Sequence, residues 1–266
     1  MKTLFWKTIA ALLIFGAMQL LFAPILTWAG VEFYDTLGLT TILSGVITCI
    51  VIHFGLGMIQ WHECFRAEHI GWHDSIHCTI GVCAAIFCMN ALTEKLELPD
   101  LMSDYYDGMF HNAYCIIAVA IVGPICEELV FREGIQGLLQ RNGVGTWTAI
   151  LCSAACFGLI HGNPSQIPFA FILGIIFSLI YYKTKSILIP CILHVFNNSL
   201  IMFLYMIMGK DVDLEQVVGG SLMLWILIVA CALLSVITMW HFLPSKVKEQ
   251  PGESCLQDRT TLSGFK

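Results

Sequence analysis

Cys126-Glu127-Glu128-Leu129-Val130-Phe131-Arg132 lies near the end of an apolar segment that begins around Asn112. Its charges decide how the chain must fold. A charged side chain near the centre of a bilayer costs roughly 2.5–3.5 kcal/mol on insertion scales. Three left unpaired would cost roughly 8–10 kcal/mol, as much as a whole domain's stability. They must therefore pair, face a wet cavity, or both. Glu128 and Arg132 are four apart, share a helix face and can form an ion pair. Glu127 lies about 100° round the helix and is left without that partner. A braced ion pair beside a spare carboxylate is the arrangement a catalytic base requires.

Working outward, the 266 residues are 58% hydrophobic and 12% charged. Soluble domains carry about 25% charged residues, so the composition predicts an all-α integral membrane protein. The net charge of −6 is uninformative beside its distribution. No basic patch is present to neutralise phosphates, which argues against nucleic acid as a partner. Most of the twelve cysteines fall in apolar segments and none form a CxxC pair, so they read as small hydrophobes, Cys152 and Cys156 included.

Apolar segments occur at 8–28, 36–61, 75–93, 112–138, 146–162, 166–182, 186–209 and 217–243. Each is near the roughly 20 residues needed to span about 30 Å of hydrocarbon, so about eight transmembrane helices are expected. The first, preceded by Lys2 and Lys7, is longer than the usual signal-peptide core and reads as a helix. With a cytoplasmic N-terminus, eleven of the thirteen Lys and Arg residues fall inside, and only Lys95 and Lys210 outside. The outer loops are acidic. This asymmetry predicts that both termini are cytoplasmic. The stretch 61–74, with His62, His69, His73 and Trp72, reads as interfacial rather than metal-binding. The expected organisation is helices one to three and their loops over 1–111, a core over 112–205, the last helix over 206–244 and a disordered cytoplasmic tail over 245–266.

Polar residues interrupt three helices of the second half. Glu127, Glu128 and Arg132 lie on the fourth, His161 at the end of the fifth, and His194 and Asn198, four apart on one face, on the seventh. They predict one polar catalytic cavity between these helices. Each alone has a plainer reading as helix-to-helix hydrogen bonding, but together they mark a functional site. His53 and His77 have no such companions and read as packing.

The residue types suit hydrolysis. A partly desolvated Glu127 can act as general base, with His161 sharing its water. His194 and the Asn198 amide can donate to a developing oxyanion. Glu127, Glu128, His161 and His194 are also acceptable ligands for one divalent metal, zinc first, although no HExxH helix occurs.

These residues resemble the CPBP family of intramembrane proteases (CAAX proteases and bacteriocin-processing enzymes, also called Abi), which includes the type II CAAX prenyl endopeptidases. Its EExxxR, FxxxH and HxxxN motifs match Glu127–Arg132, Phe157–His161 and His194–Asn198 in order and spacing. The resemblance implies that Glu127 and His161 activate water and that His194 and Asn198 form the oxyanion hole. Glu128, Arg132 and Phe157 would be supporting residues. The family has been described both as metalloproteases and as metal-free glutamate proteases, so either no cofactor or one divalent metal is expected. The substrate would be a membrane-associated peptide or lipidated protein. The short chain looks like a bacterial member, placed in the plasma membrane. Bacterial members also include non-catalytic scaffolds and bacteriocin self-immunity proteins, the alternative reading here; a transporter is disfavoured because no inverted repeat is visible.

One geometric difficulty accompanies this reading. His161 lies about 24 Å along the fifth helix from Gly145, and His194 about 12 Å along the seventh from Ser186. Tilt, or a fifth helix that begins inside the cytoplasm, must bring them level.

Overall fold

The structure is a computed structural model that describes residues 2–65, 71–209 and 213–244. Expectations for Arg66, His69, Lys210, the His62 side chain and the tail 245–266 lie outside the described residues. Among those described, the regular elements are all helical. They are α1 (Lys2–Trp28), α2 (Phe33–Phe54), α3 (Trp72–Leu96), α4 (Ala113–Arg141), α5 (Thr146–Ile160), α6 (Ile167–Thr184), α7 (Leu188–Met208) and α8 (Ser221–Met239). Short helices Trp61–Cys64, Tyr106–Phe110 and Leu214–Val218 lie in the connections.

Seven of these helices are long and apolar enough to cross a membrane, as a multi-pass membrane protein requires. The exception among the eight expected spans is α5. Its 15 residues reach only about 22 Å at 1.5 Å per residue, short of the ~30 Å hydrocarbon core.

Helix α4 is the axis of the bundle. Helices α2, α5, α6 and α7 pack around it, α1 lies outside against α2, and α8 lies outside against α3. The extremes of burial match: 56% of the apolar window of α4 is buried but only 6% of that of α1. Lipid tails are as apolar as leucine, so helices associate in a bilayer through close packing and hydrogen bonds. The α5–α6 hairpin shows the packing term. A methyl group on Gly174 would sit 3.1 Å from Ala154 Cα and from the Phe157 ring. Only glycine permits this approach without displacing either.

Both ends of the α4 assembly are tied by polar groups. Asn112 caps its N-terminus by accepting from Cys115 N at 3.0 Å, and its Nδ2 donates to Asp35 Oδ1 on α2 at 2.6 Å. Towards the other end, Glu133 is buried. It pairs with Arg141 at 2.6 Å and accepts from Tyr181 Oη at 2.6 Å and from Gln60 N at 3.2 Å. Arg141 also donates to Met58 O at 2.6 Å, which fastens the segment after α2 to the bundle. His53 bonds Ile59 O at 2.8 Å, whereas His77, expected to pack, is exposed, with its Nδ1 bonded to His73 O at 2.8 Å.

Candidate active site

Helix α4 is not a regular α-helix. Ala118–Val122 and Leu129–Gly137 are π-helical and flank an α-helical Gly123–Glu128. The Gly123 N–H bonds Ala118 O, a step of five residues. Such insertions widen a helix, free carbonyls and occur often at functional sites. One of the carbonyls in the first π segment, Val119 O, accepts from Asn198 Nδ2 of α7 at 2.9 Å. Helix α7 is thereby held against α4 beside the two carboxylates.

His194 of α7 sits between them. Its Nδ1 is 2.8 Å from Glu128 Oε1 and its Nε2 is 3.6 Å from Glu127 Oε2. Adjacent residues diverge by about 100° round a helix, so the two carboxylates straddle one imidazole. An ionised carboxylate only accepts, so Nδ1 carries the hydrogen directed at Glu128. Nε2 is the atom turned to Glu127. The Glu127 side chain keeps 20% of its surface exposed, whereas Glu128 has none. Glu127 is the carboxylate that solvent or substrate can reach.

The expected pair is present: Arg132 Nε lies 3.0 Å from Glu128 Oε2, with both side chains fully buried. The contact is close but too poorly angled for a hydrogen bond, and neither Nη atom has an acceptor among the described residues. Aromatic rings take their place. The guanidinium carbon is 4.3 Å from the Phe157 ring centre and 5.4 Å from that of Phe177, within cation–π range.

Phe157 is the hub of the site. Phe131, His161 and His194 all pack edge-on against its ring at centroid distances of 5.4, 5.0 and 5.7 Å. The depth difficulty is met through this ring. His161, four residues beyond it, ends the short α5, and His194 meets the same ring from α7. His161 Nδ1 bonds Phe157 O at 2.8 Å. A carbonyl cannot donate, so Nδ1 carries a hydrogen, and Nε2 is the ring nitrogen left to meet a ligand.

The structure therefore brings Glu127, Glu128, Arg132, Phe157, His161, His194 and Asn198 into one cluster. It adds two points to the expected arrangement. Glu127 has a neighbour after all, His194 Nε2. Asn198 has committed one amide hydrogen to Val119 O, and its Oδ1 accepts from Asn197 Nδ2 at 2.8 Å. Its other amide hydrogen has no acceptor among the described residues.

The sequence reading misses Phe177 in the cluster, and Glu133 in the buried network beside it. Phe177 gives no signal, being one apolar residue among many. Glu133 does give one: it is a fourth charge in the same apolar segment, with the same insertion cost.

The four candidate metal ligands fare unevenly. Glu128 is engaged by Arg132 and His194, and no group of three His, Cys, Asp or Glu side chains among the described residues is placed to share an ion. This donor set does not fit a three-ligand metal centre.

Comparison with known proteins covers this region. Residues 109–200 match the family model described as type II CAAX prenyl endopeptidase Rce1-like. A Bacillus subtilis (strain 168) protein provisionally named membrane peptidase YdiL is 28% identical over 111 residues, 40% of this chain and 45% of that protein. The membrane-embedded CAAX protease MroQ of Staphylococcus aureus (strain USA300) is 37% identical over 91 residues, 32% of this chain and 37% of its own. The chain thus spans less than half the length of either relative. No solved structure matches significantly. Residues 109–200, which hold every side chain of the cluster from Glu127 to Asn198, are thus similar to the Rce1-like CAAX protease domain.

Proposed function

We propose that this chain is an intramembrane endopeptidase that hydrolyses a peptide bond in a membrane-associated or lipidated substrate. The observation that carries the reading is His194 held between Glu127 and Glu128. That is an acid–base pair inside a membrane helix bundle, with a second histidine at the same aromatic ring. Glu127 accepts a proton from water, while His161 Nε2 accepts the water's other hydrogen and orients the lone pair for attack. The new C–O bond pushes charge onto the carbonyl oxygen. The proton on Glu127 is shared with His194 Nε2, which then donates to the oxyanion beside the free Asn198 amide hydrogen. As the C–N bond breaks, that proton passes to the leaving nitrogen, and Glu127 is regenerated. Glu128 and Arg132 hold His194 in place throughout.

The chain's own residues supply each proton transfer, and the reading expects no stoichiometric metal. Counted over eight crossings, the short α5 included, the excess of Lys and Arg in alternate loops supports an orientation with both termini cytoplasmic.

The test compares the membrane peptidome of cells carrying the wild type with that of cells carrying Glu127→Gln or His161→Ala at equal protein level. Specific fragments are expected to vanish in both variants and to persist when wild-type membranes are treated with a chelator. Unchanged peptide profiles would sink the hydrolytic mechanism. In that case, if Glu127→Gln also still supports the cellular phenotype, the chain is a scaffold or immunity protein. Loss of cleavage on chelation, with zinc found by elemental analysis, would replace Glu127 as the sole activator of water.

A further inference from the structure

The His161 imidazole bonds Phe157 O one turn back at 2.8 Å, but its backbone is loosely held at the end of the helix. His161 is the last residue before Gly162, whose φ of +63° turns the chain away. Its backbone N–H reaches Gly158 O only at 3.3 Å, and that of Gly162 reaches Leu159 O at 3.2 Å. Ends of short helices fray, and a catalytic side chain there needs outside support.

That support comes from the connection between α3 and α4. Asn163, 2% exposed, accepts from Leu101 N at 3.1 Å through Oδ1 and donates to Asp100 Oδ1 at 2.8 Å through Nδ2. The Ser165 N–H bonds Pro99 O at 3.2 Å. Tyr106 donates to the Asp100 carboxylate, its oxygens lying 3.1 and 3.0 Å away, and Gln166 Nε2 reaches Tyr106 Oη at 3.4 Å. The Tyr106 ring also rests edge-on against Tyr205 of α7, the helix that carries His194 and Asn198. The main-chain carbonyl of Asn163 accepts from Gln166 N and Ile167 N at 2.9 and 3.0 Å, which starts α6. Asn163 thus joins, through its side-chain amide and its main-chain carbonyl, the α3–α4 connection, the turn after His161 and the first residues of α6.

We propose that Asp100 and Asn163 are positioning residues for His161, and that this latch sets the placement of its imidazole over the water shared with Glu127. The proposal rests on the hydrolytic reading above for its effect on rate, but its effect on His161 is independent of that reading. None of these groups touches the reacting atoms. Their loss acts through a displaced imidazole, and misplacement by about 1 Å costs on the order of 10²-fold in rate.

Two measurements test it together. The first is the rate at which membrane vesicles release the fragments that Glu127→Gln abolishes. The second is the ¹³Cε1 signal of His161 in histidine-labelled protein in detergent, assigned by its loss in His161→Gln. Asn163→Ala and Asp100→Ala are expected to lower turnover about 10- to 100-fold with KM nearly unchanged, and to shift or broaden the His161 signal. The His53 signal, from a ring bonded to Ile59 O, should stay in place. Asp100→Asn keeps Oδ1 as acceptor and is expected to retain activity within about threefold.

Wild-type turnover with an unmoved His161 signal in Asn163→Ala overturns the proposal, provided Glu127→Gln is inactive. If Glu127→Gln cleaves normally, the hydrolytic reading falls instead, and the His161 signal alone decides the latch. Should Asn163→Ala not fold, Tyr106→Phe, which removes only the phenolic contacts to Asp100 and Gln166, gives the same two readouts with a smaller shift.

Discussion

Arg132 shows how a buried charge is kept in this bundle at the scale of one residue. Its guanidinium has one ionic partner, Glu128, and two aromatic rings in place of hydrogen-bond acceptors. Removing one partner of a buried pair leaves the other charged in an apolar setting, which costs about 3–5 kcal/mol. Arg132→Ala is expected to destabilise the protein by about that much, read as a fall in the midpoint of thermal or denaturant unfolding in detergent. Arg132→Lys should recover only part of the loss. An ammonium keeps the charge but lacks the planar face that lies on Phe157. Equal stability of Arg132→Lys and wild type would show that the aromatic contacts contribute nothing.

Between elements, the closest approach that bears on the site is that of α5 and α6 at Gly174. Phe157 is caught between this glycine and the ring edges of His161 and His194. Gly174→Ala places a methyl group against Ala154 and Phe157, with backbone on one side and a packed ring on the other. Overpacking of this kind costs about 1–3 kcal/mol. Because the ring that must move is the hub of the cluster, fragment release should fall more than stability does. Wild-type cleavage with a wild-type unfolding midpoint in Gly174→Ala would show that α5 and α6 separate freely at this point. The π-helical turns of α4 belong to the same scale. They leave Val119 O available to Asn198 and so fix α7 beside Glu127 and Glu128.

Across the whole molecule, two of the buried polar networks among the described residues divide the labour. The cluster round Phe157 carries the candidate chemistry. Glu133, Arg141 and Tyr181 join α4, α6 and the segment around Met58–Gln60, with both carboxylate oxygens of Glu133 occupied. A hydrogen bond to a charged group contributes about 1.5–3 kcal/mol. Tyr181→Phe removes one without changing shape and should lower stability by about that amount while leaving fragment release per folded molecule near the wild-type rate. A selective loss of cleavage, with stability kept, would place this network in the catalytic machinery instead.

What the sequence by itself determined follows from terms that act one residue at a time. Hydrocarbon transfer of Leu, Ile and Phe forces helices, and the cost of Glu127, Glu128 and Arg132 in such a segment forces a polar cluster. A spacing of four puts Glu128 on Arg132 and His194 on the face of Asn198. Those inferences need only the pitch of a helix and the dielectric contrast of a bilayer. The partners across helices were beyond them. That His194 lies between both carboxylates, that Phe157 and Phe177 cover the guanidinium, and that Asn163 anchors the turn of His161 all depend on how helices cross. So does the shortness of α5, which the run of apolar residues over 146–162 conceals. Crossing geometry is set by small residues such as Gly174 and by freed backbone groups such as Val119 O. These are contacts between positions far apart in the chain, and only the tertiary structure brings them together.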